Sequence, residues 1–266
     1  YYSTTPYSQQ PLTSRPFPYW YRIESRDQGG NSAYNSAQIE VNRRFSHGLS
    51  FTAAYTLAHN VNDIGGPNPT DFGSETGNGR IMDSLNRAGS RGNDYATRRH
   101  RFVSTAVYEI PFGRGKRFGS KLSRTADMFA GGWQLSGIFI GQSGPFMTPS
   151  QGGTSDPSGT GSGYYRTQRP DRLASGVPSN QTIAAWVDRN AFVCAGQESM
   201  SSKFSCSIGS GGSSPAPIGR FGNSGVGILE GPGGATLSMG FGKYFQATEK
   251  FRVGVQGTFT NILDRT

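Results

Sequence analysis

Six stretches of this chain alternate apolar and polar side chains with a period of two, and the connections between them alternate short and long. No other feature restricts the fold as much. From Ala37 to Phe45, Ala37, Ile39 and Val41 are interleaved with Gln38, Glu40, Asn42 and Arg44, as expected of a strand with one dry and one wet face. Ser46-His47-Gly48 is a short turn, and Gly48 can supply a positive φ. Leu49, Phe51, Ala53, Tyr55 and Leu57 then alternate with Ser50, Thr52, Ala54 and Thr56. Phe102–Ile110 and Trp133–Ile140 form a second pair, the first run closed by Pro111, which has no amide for a continuing ladder. In the last pair, Leu237, Met239, Phe241 and Phe245 alternate with Ser238, Gly240, Gly242 and Tyr244, with Lys243 on the apolar side. After an Ala247-Thr248-Glu249 turn, Phe251, Val253, Val255, Gly257 and Phe259 alternate with Arg252, Gly254, Gln256, Thr258 and Thr260.

The connections run short (46–48), long (60–97), medium and basic (111–129), long (143–233) and short (246–249). All long connections therefore leave one end of the sheet, the layout of outer-membrane barrels. A compact soluble sandwich seldom carries loops of such length. The expected fold is all-β: an antiparallel up-and-down transmembrane β-barrel segment of about six to eight strands, with short turns on one side and long loops on the other. Residues 1–33 read as loop with a candidate first strand at Phe17–Arg26, and residues 34–266 as the barrel portion. Thr182–Phe192, carrying Trp186, reads as one short helix or turn within the second long loop. Tyr19, Trp20, Tyr21, Tyr55, Tyr108, Trp133, Phe139, Tyr244 and Phe245 are candidates for an interfacial aromatic girdle or for barrel packing.

Composition agrees with this reading. Only 33% of the 266 residues are hydrophobic, 16% are charged and 39 are Gly, the habit of short aromatic strands and Gly-rich turns. No apolar run approaches the roughly 20 residues that a membrane helix needs, whereas barrel strands need only about 10 alternating ones. The net charge of +9 would suit an anionic partner. Much of the excess lies in one connection, in Arg114, Lys116, Arg117, Lys121 and Arg124. No nucleic-acid motif accompanies it, so it reads as a solvated basic turn and no nucleic-acid partner is expected. The chain opens on Tyr1 without an initiator Met or signal peptide, and reads as a mature product or a piece of a longer one.

Catalysis finds no support. Gly113-Arg114-Gly115-Lys116 lacks the spacing of a phosphate loop, Gly141-Gln142-Ser143-Gly144 is not a nucleophile elbow, and no enzyme or cofactor is expected. His47, His59 and His100 have no ligand spacing, and Asp63, Asp71 and Glu75 lack a calcium-loop pattern, so they read as solvated polar groups without a metal. Loop residues Tyr164, Tyr165, Arg166, Arg169 and Trp186 are the candidate contacts for a glycan or peptide ligand. Cys194 and Cys206, the only cysteines, fall in one long loop. In an oxidising envelope they are expected to close a disulfide contributing roughly 3 kcal/mol; two free buried thiols are the alternative.

Five segments, YNSAQIEVNRRFSHGLSFTAAYT, RHRFVSTAVYEIPFGRGKRF, GGWQLSGIFIGQSGPF, GNSGVGILEGPGGATLSMGFGKYF and FRVGVQGTFTNILDR, resemble in order successive segments of Oar-like TonB-dependent outer-membrane transporters. The resemblance runs from about Tyr34 onward. It implies a barrel of about 22 strands with an amino-terminal plug, energised through a TonB box, which would bind and translocate a ligand. No plug or TonB box precedes Tyr1, and the chain stops at Thr266 before an expected final strand, so a carboxy-terminal portion of the barrel is expected. Its partners would be outer-membrane lipid, the remaining barrel and plug, and TonB through the missing amino-terminal region. The rival reading is a structural or adhesive surface protein whose strands pair with other chains.

The disulfide is testable by mass. Without reductant, neither cysteine should take up an alkylating reagent; alkylation of both would refute the bridge.

Overall fold

The structure is a computed structural model and describes residues 2–15, 17–20, 29–63, 82–83, 85–150, 156–160, 168–196, 217–246 and 251–264. In chain order the strands are β1 (Ser32–Ser46), β2 (Leu49–Asn62), β3 (Gly92–Asn93), β4 (His100–Glu109), β5 (Trp133–Gln142), β6 (Phe146–Met147), β7 (Asp171–Arg172), β8 (Phe192–Val193), β9 (Leu229–Glu230), β10 (Gly234–Gln246) and β11 (Arg252–Phe259). The six long strands form one sheet in the order β1-β2-β4-β5-β10-β11. Each therefore neighbours the next long strand in sequence, the up-and-down arrangement expected from the alternating connections. β3 adds a short pairing to the far end of β2, at Val61↔Asn93 and Asn62↔Gly92. Among the described residues no helix is long and apolar enough to cross a membrane.

Local chemistry accounts for the first turn. His47 and Gly48 both have positive φ, 53° and 81°, which is how a two-residue hairpin loop matches the twist of its strands. A side chain on Gly48 would also bring a Cβ within 3.1 Å of the Glu109 carbonyl oxygen. The neighbouring strand approaches closely there because the Glu109 amide donates to the Gly48 carbonyl at 2.7 Å.

The registers place the residues on two faces. Leu49↔Tyr108, Phe51↔Ala106 and Tyr55↔Phe102 link β2 to β4; Phe102↔Gly141, Ser104↔Phe139 and Tyr108↔Leu135 link β4 to β5. Leu237↔Phe139, Phe241↔Leu135 and Lys243↔Trp133 continue into β10, and Lys243↔Val255 with Phe245↔Val253 into β11. Because paired residues share a face, one apolar face runs across five strands. The opposite face carries Arg101, Thr105, Glu109, Gln134, Ser136, Gln142, Thr236, Ser238, Gln256 and Thr258 by the same registers. It also carries Val103, Val107, Ile138 and Ile140, so the alternation is least clean in β4 and β5. A cavity of about 300 Å³ opens on this face, lined among others by Gln134, Ser136, Tyr244 and Gln256. Tyr244 therefore belongs to the polar face, not to an aromatic girdle on the apolar one.

The basic connection holds an unexpected element, helix α1 (Arg124–Ala130). Its start was readable: Ser123 caps it, the hydroxyl accepting the Ala126 amide at 3.2 Å, as serine commonly does at a helix N-cap. The helix resolves the Lys243 exception. Lys243 is 5% exposed, and its ammonium donates to the carbonyls of Asp127 (3.2 Å) and Gly131 at the helix C-terminus. The Asp127 carbonyl also accepts the Gly131 amide at 2.9 Å, and the carbonyl-bearing, negative end of a helix suits a cation. The Trp133 and Phe245 rings, 5.9 and 5.0 Å from the nitrogen, complete its surroundings.

The chain divides into two compact units: residues 36–58, 99–144 and 233–266, which hold most of the sheet, and residues 1–35, 59–98 and 145–232. The 33/34 boundary falls inside β1. In the second unit the long connections carry their own structure. β6 pairs with β9 and β7 with β8, around a small core of Ala191, Phe192 and Leu229 with Met147, Val187 and Ile228 packed on it. Thr182–Phe192 forms a turn and a single 3₁₀ turn (Arg189–Ala191) capped by Asp188. Of the candidate first strand, residues 17–20 form a turn and 21–28, with Tyr21, lie outside the described residues. The turn at 247–249 also lies outside them.

Gly48→Val should destabilise the first hairpin by about 1–2 kcal/mol, since it forces a β-branched residue to positive φ against a neighbouring carbonyl. Urea unfolding of the protein in lipid vesicles measures this; an unchanged midpoint would contradict it.

Candidate functional site

The polar residues of greatest chemical interest lie in the unit formed by residues 1–35, 59–98 and 145–232. Asp171, on β7, organises them. It is buried, and both carboxylate oxygens are used: Arg220 donates to them at 2.8 and 2.6 Å, the Gly196 amide at 2.8 Å and the Asn223 amide at 3.0 Å. Burial alone would raise its pKa, but the Arg220 fork and the two amides outweigh burial and hold it below the ordinary aspartate value. Arg220 is raised in turn, chiefly by its hydrogen bonds to Asp171. This bidentate pair ties β7 to the segment 220–225.

Beside it lies a pocket of about 370 Å³ whose wall includes Tyr2, Asp83, Arg169, Arg220, Asn223 and Ser224. Arg169 precedes β7 and is 6% exposed. One guanidinium nitrogen donates to the Gly89 carbonyl at 2.7 Å, and its Nε has no hydrogen-bond partner among the described residues. Ser224 is also buried, with its hydroxyl equally without a partner among the described residues. Burial pushes the Arg169 guanidinium below its ordinary value, although arginine stays charged at any physiological pH. Across the same pocket Tyr2 donates its hydroxyl to Asp83 at 2.5 Å; that hydrogen bond raises the tyrosine pKa. Asp83 also accepts the Leu85 amide at 3.0 Å. The backbone closes tightly behind Arg169, because a Cβ at Gly222 would run into the carbonyls of Arg169 and Pro170.

Such a wall can do one thing well. A buried guanidinium with an unused donor, beside a buried hydroxyl, favours a carboxylate or another oxyanion over a neutral group. The Asp83 carboxylate offers a separate acceptor for a hydroxyl or ammonium.

The sequence candidates divide. Arg169 lines the pocket. Trp186 does not: its indole nitrogen donates to the Glu230 carbonyl at 2.7 Å, beside the small core that its neighbour Val187 helps to form. Tyr164, Tyr165 and Arg166 lie outside the described residues. Cys194 follows β8 and is disulfide-bonded; Cys206 lies outside the described residues. Asp63 is not a solvated loop carboxylate. It is buried, and the Asn31 amide donates to it at 2.6 Å, which, ahead of the opposing effect of burial, holds its pKa down. Asp71 and Glu75 lie outside the described residues. The histidines have separate partners, His47 with Ser46, His59 with Asn93 and His100 with Tyr55. Among the described residues no three His, Cys, Asp or Glu side chains are grouped to hold a metal ion. Tyr2, Asp83, Arg220 and Ser224 were missed because their contacts join positions 49 to 81 or more residues apart, which no local spacing reveals.

The model of one protein family, described as an outer membrane beta barrel domain, matches residues 2–266. No curated protein and no solved structure matches the chain. The chain belongs to the outer membrane beta barrel domain family and is a protein of the bacterial outer membrane.

Asp171→Asn should open the segment 168–196 by roughly 1–3 kcal/mol at neutral pH, the range for a buried hydrogen-bonding group that loses its charged partner. In the native protein the folded pKa is depressed, so this contribution is present above the unfolded value of about 3.9 and lost only as pH falls through the lower, folded one. Amide protection should therefore persist just below pH 3.9 and fail further down. Equal protection in the variant would contradict this.

Proposed function

We propose that the chain is part of a TonB-dependent outer-membrane receptor that binds a ligand and translocates it, the long connections providing the capture surface. The observation that carries the reading is the pocket around Arg169: a concavity lined by a buried arginine, built mostly from the long connections. The resemblance of five ordered segments to Oar-like transporters supports the transport step. The pocket suits a ligand bearing a carboxylate, such as an acidic glycan or a peptide end, with Arg169 binding the anion and Asp83 a hydroxyl or ammonium. The energised step belongs to a plug moved by TonB, and the strands described above have no part in it beyond forming the wall.

A second reading rests on the sheet edges. Among the described residues β1 and β11 each have a long-strand neighbour on one side only. In lipid an open edge is untenable, so each edge takes a further strand. If those strands come from other chains, the assembly is a structural or adhesive one.

Uptake separates the readings. The full-length protein should run with heat-modifiable mobility, and its uptake of ligand should stop in cells lacking TonB. Arg169→Ala should cut ligand binding by about tenfold, the cost of one charge-assisted contact. Uptake that survives loss of TonB would overturn the transporter reading.

A further inference from the structure

We propose that the connection between β4 and β5 is a membrane-interface anchor that binds the anionic headgroups of phospholipids in the periplasmic leaflet. It requires only an outer-membrane barrel whose short connections face the periplasm; neither a plug nor transport is needed.

Three observations converge on this connection. The first is position. Trp133 and Lys243 are cross-strand partners on the apolar, lipid-facing side of the sheet, and Trp133 stacks on Phe241 with ring centroids 4.3 Å apart. Both reach α1: the Trp133 indole donates to the Phe129 carbonyl at 2.9 Å, and the Lys243 ammonium to the carbonyls of Asp127 and Gly131. The C-terminal turn of α1 is thereby held to side chains of the bilayer side, at the strand ends where headgroups lie.

The second is apolar exposure. Met128 and Phe129 on α1 are 54% and 66% exposed, and Phe118 is 55% exposed. In water these would form an unexplained apolar patch. Here they continue the apolar face that Trp133, Phe241 and Val255 present to lipid, and an apolar helix face at this depth belongs in the boundary between headgroups and acyl chains.

The third is charge. Arg114, Arg117, Lys121 and Arg124 are all exposed; Lys116 faces Glu109 at 3.6 Å. The carboxylate of Asp127 is directed inward, accepting the Arg114 amide at 2.6 Å, so the outer surface of the connection is basic. Basic side chains flanking buried aromatics are how a protein surface recognises anionic lipid, with the long side chains extending to the phosphates. The same residues read from sequence as a solvated turn; their place beside the lipid-facing tryptophan gives them a partner.

The test uses the full-length protein reconstituted in vesicles of mixed phosphatidylglycerol and phosphatidylethanolamine, with retained lipid counted by native mass spectrometry. Phosphatidylglycerol should be enriched over its share of the vesicle. Replacing Arg114, Arg117, Lys121 and Arg124 together by Gln should abolish the enrichment, bringing retained phosphatidylglycerol down to its share of the vesicle, while heat-modifiable mobility is retained. Should that variant fail to fold, the wild-type protein still decides: its enrichment should fall steeply as salt shortens the screening length. Retention of the two lipids in proportion to supply, enrichment unchanged in the Gln variant, or enrichment indifferent to salt would each overturn the proposal.

Discussion

Backbone hydrogen bonding in a medium without water is the constraint on which the sheet depends. Every amide and carbonyl inside a bilayer must find a protein partner, and continuous antiparallel ladders meet that demand on both sides of β4, β5 and β10. The up-and-down order follows, because neighbouring strands joined by short turns close ladders at the lowest entropic cost. Two-faced alternation follows as well, since one side of each strand meets lipid and the other water. The length of the connections is free of this demand, and the long ones carry a core and an ion pair of their own.

The places where the alternation fails are informative for different reasons. Lys243 breaks the apolar face, yet its charge is matched by the carbonyl end of α1 and enclosed by aromatic rings. A lysine near the end of a lipid-facing strand is tolerable when its ammonium reaches polar backbone instead of hydrocarbon. In the long-connection unit, Asp171 and Arg220 show the same rule in a different setting, a buried carboxylate kept ionised because a fork and two amides saturate it.

The sheet was legible because period two is a local signal. The strands around Ala37, Leu49, Phe102, Trp133, Leu237 and Phe251 all appear, and the His47-Gly48 turn was visible from residue type alone. Helix α1 was legible in principle from the Ser123 cap, but its seven residues mix good helix formers (Arg124, Ala126, Met128, Ala130) with poorer ones (Thr125, Asp127, Phe129), so propensity alone marks it weakly. The pocket was not legible. Arg169 could be named as a loop arginine, but its burial depends on Gly89 and Gly222, and its neighbours Tyr2 and Asp83 come from distant parts of the chain. Tertiary convergence of that kind leaves no periodicity behind. Trp186 carries a contact of the same kind: its indole donates to the Glu230 carbonyl, 44 positions along the chain, which no local spacing reveals.

The central claim is that one face of this sheet meets lipid and the other an aqueous interior. Single cysteines placed along β10 of the full-length protein in vesicles, each carrying a spin label, test it most directly through relaxation by a lipid-soluble and a water-soluble agent. Positions 237, 239 and 241 should respond to the lipid-soluble agent and positions 236, 238 and 240 to the water-soluble one, alternating residue by residue. Uniform accessibility along the strand, or the alternation reversed, would contradict the account.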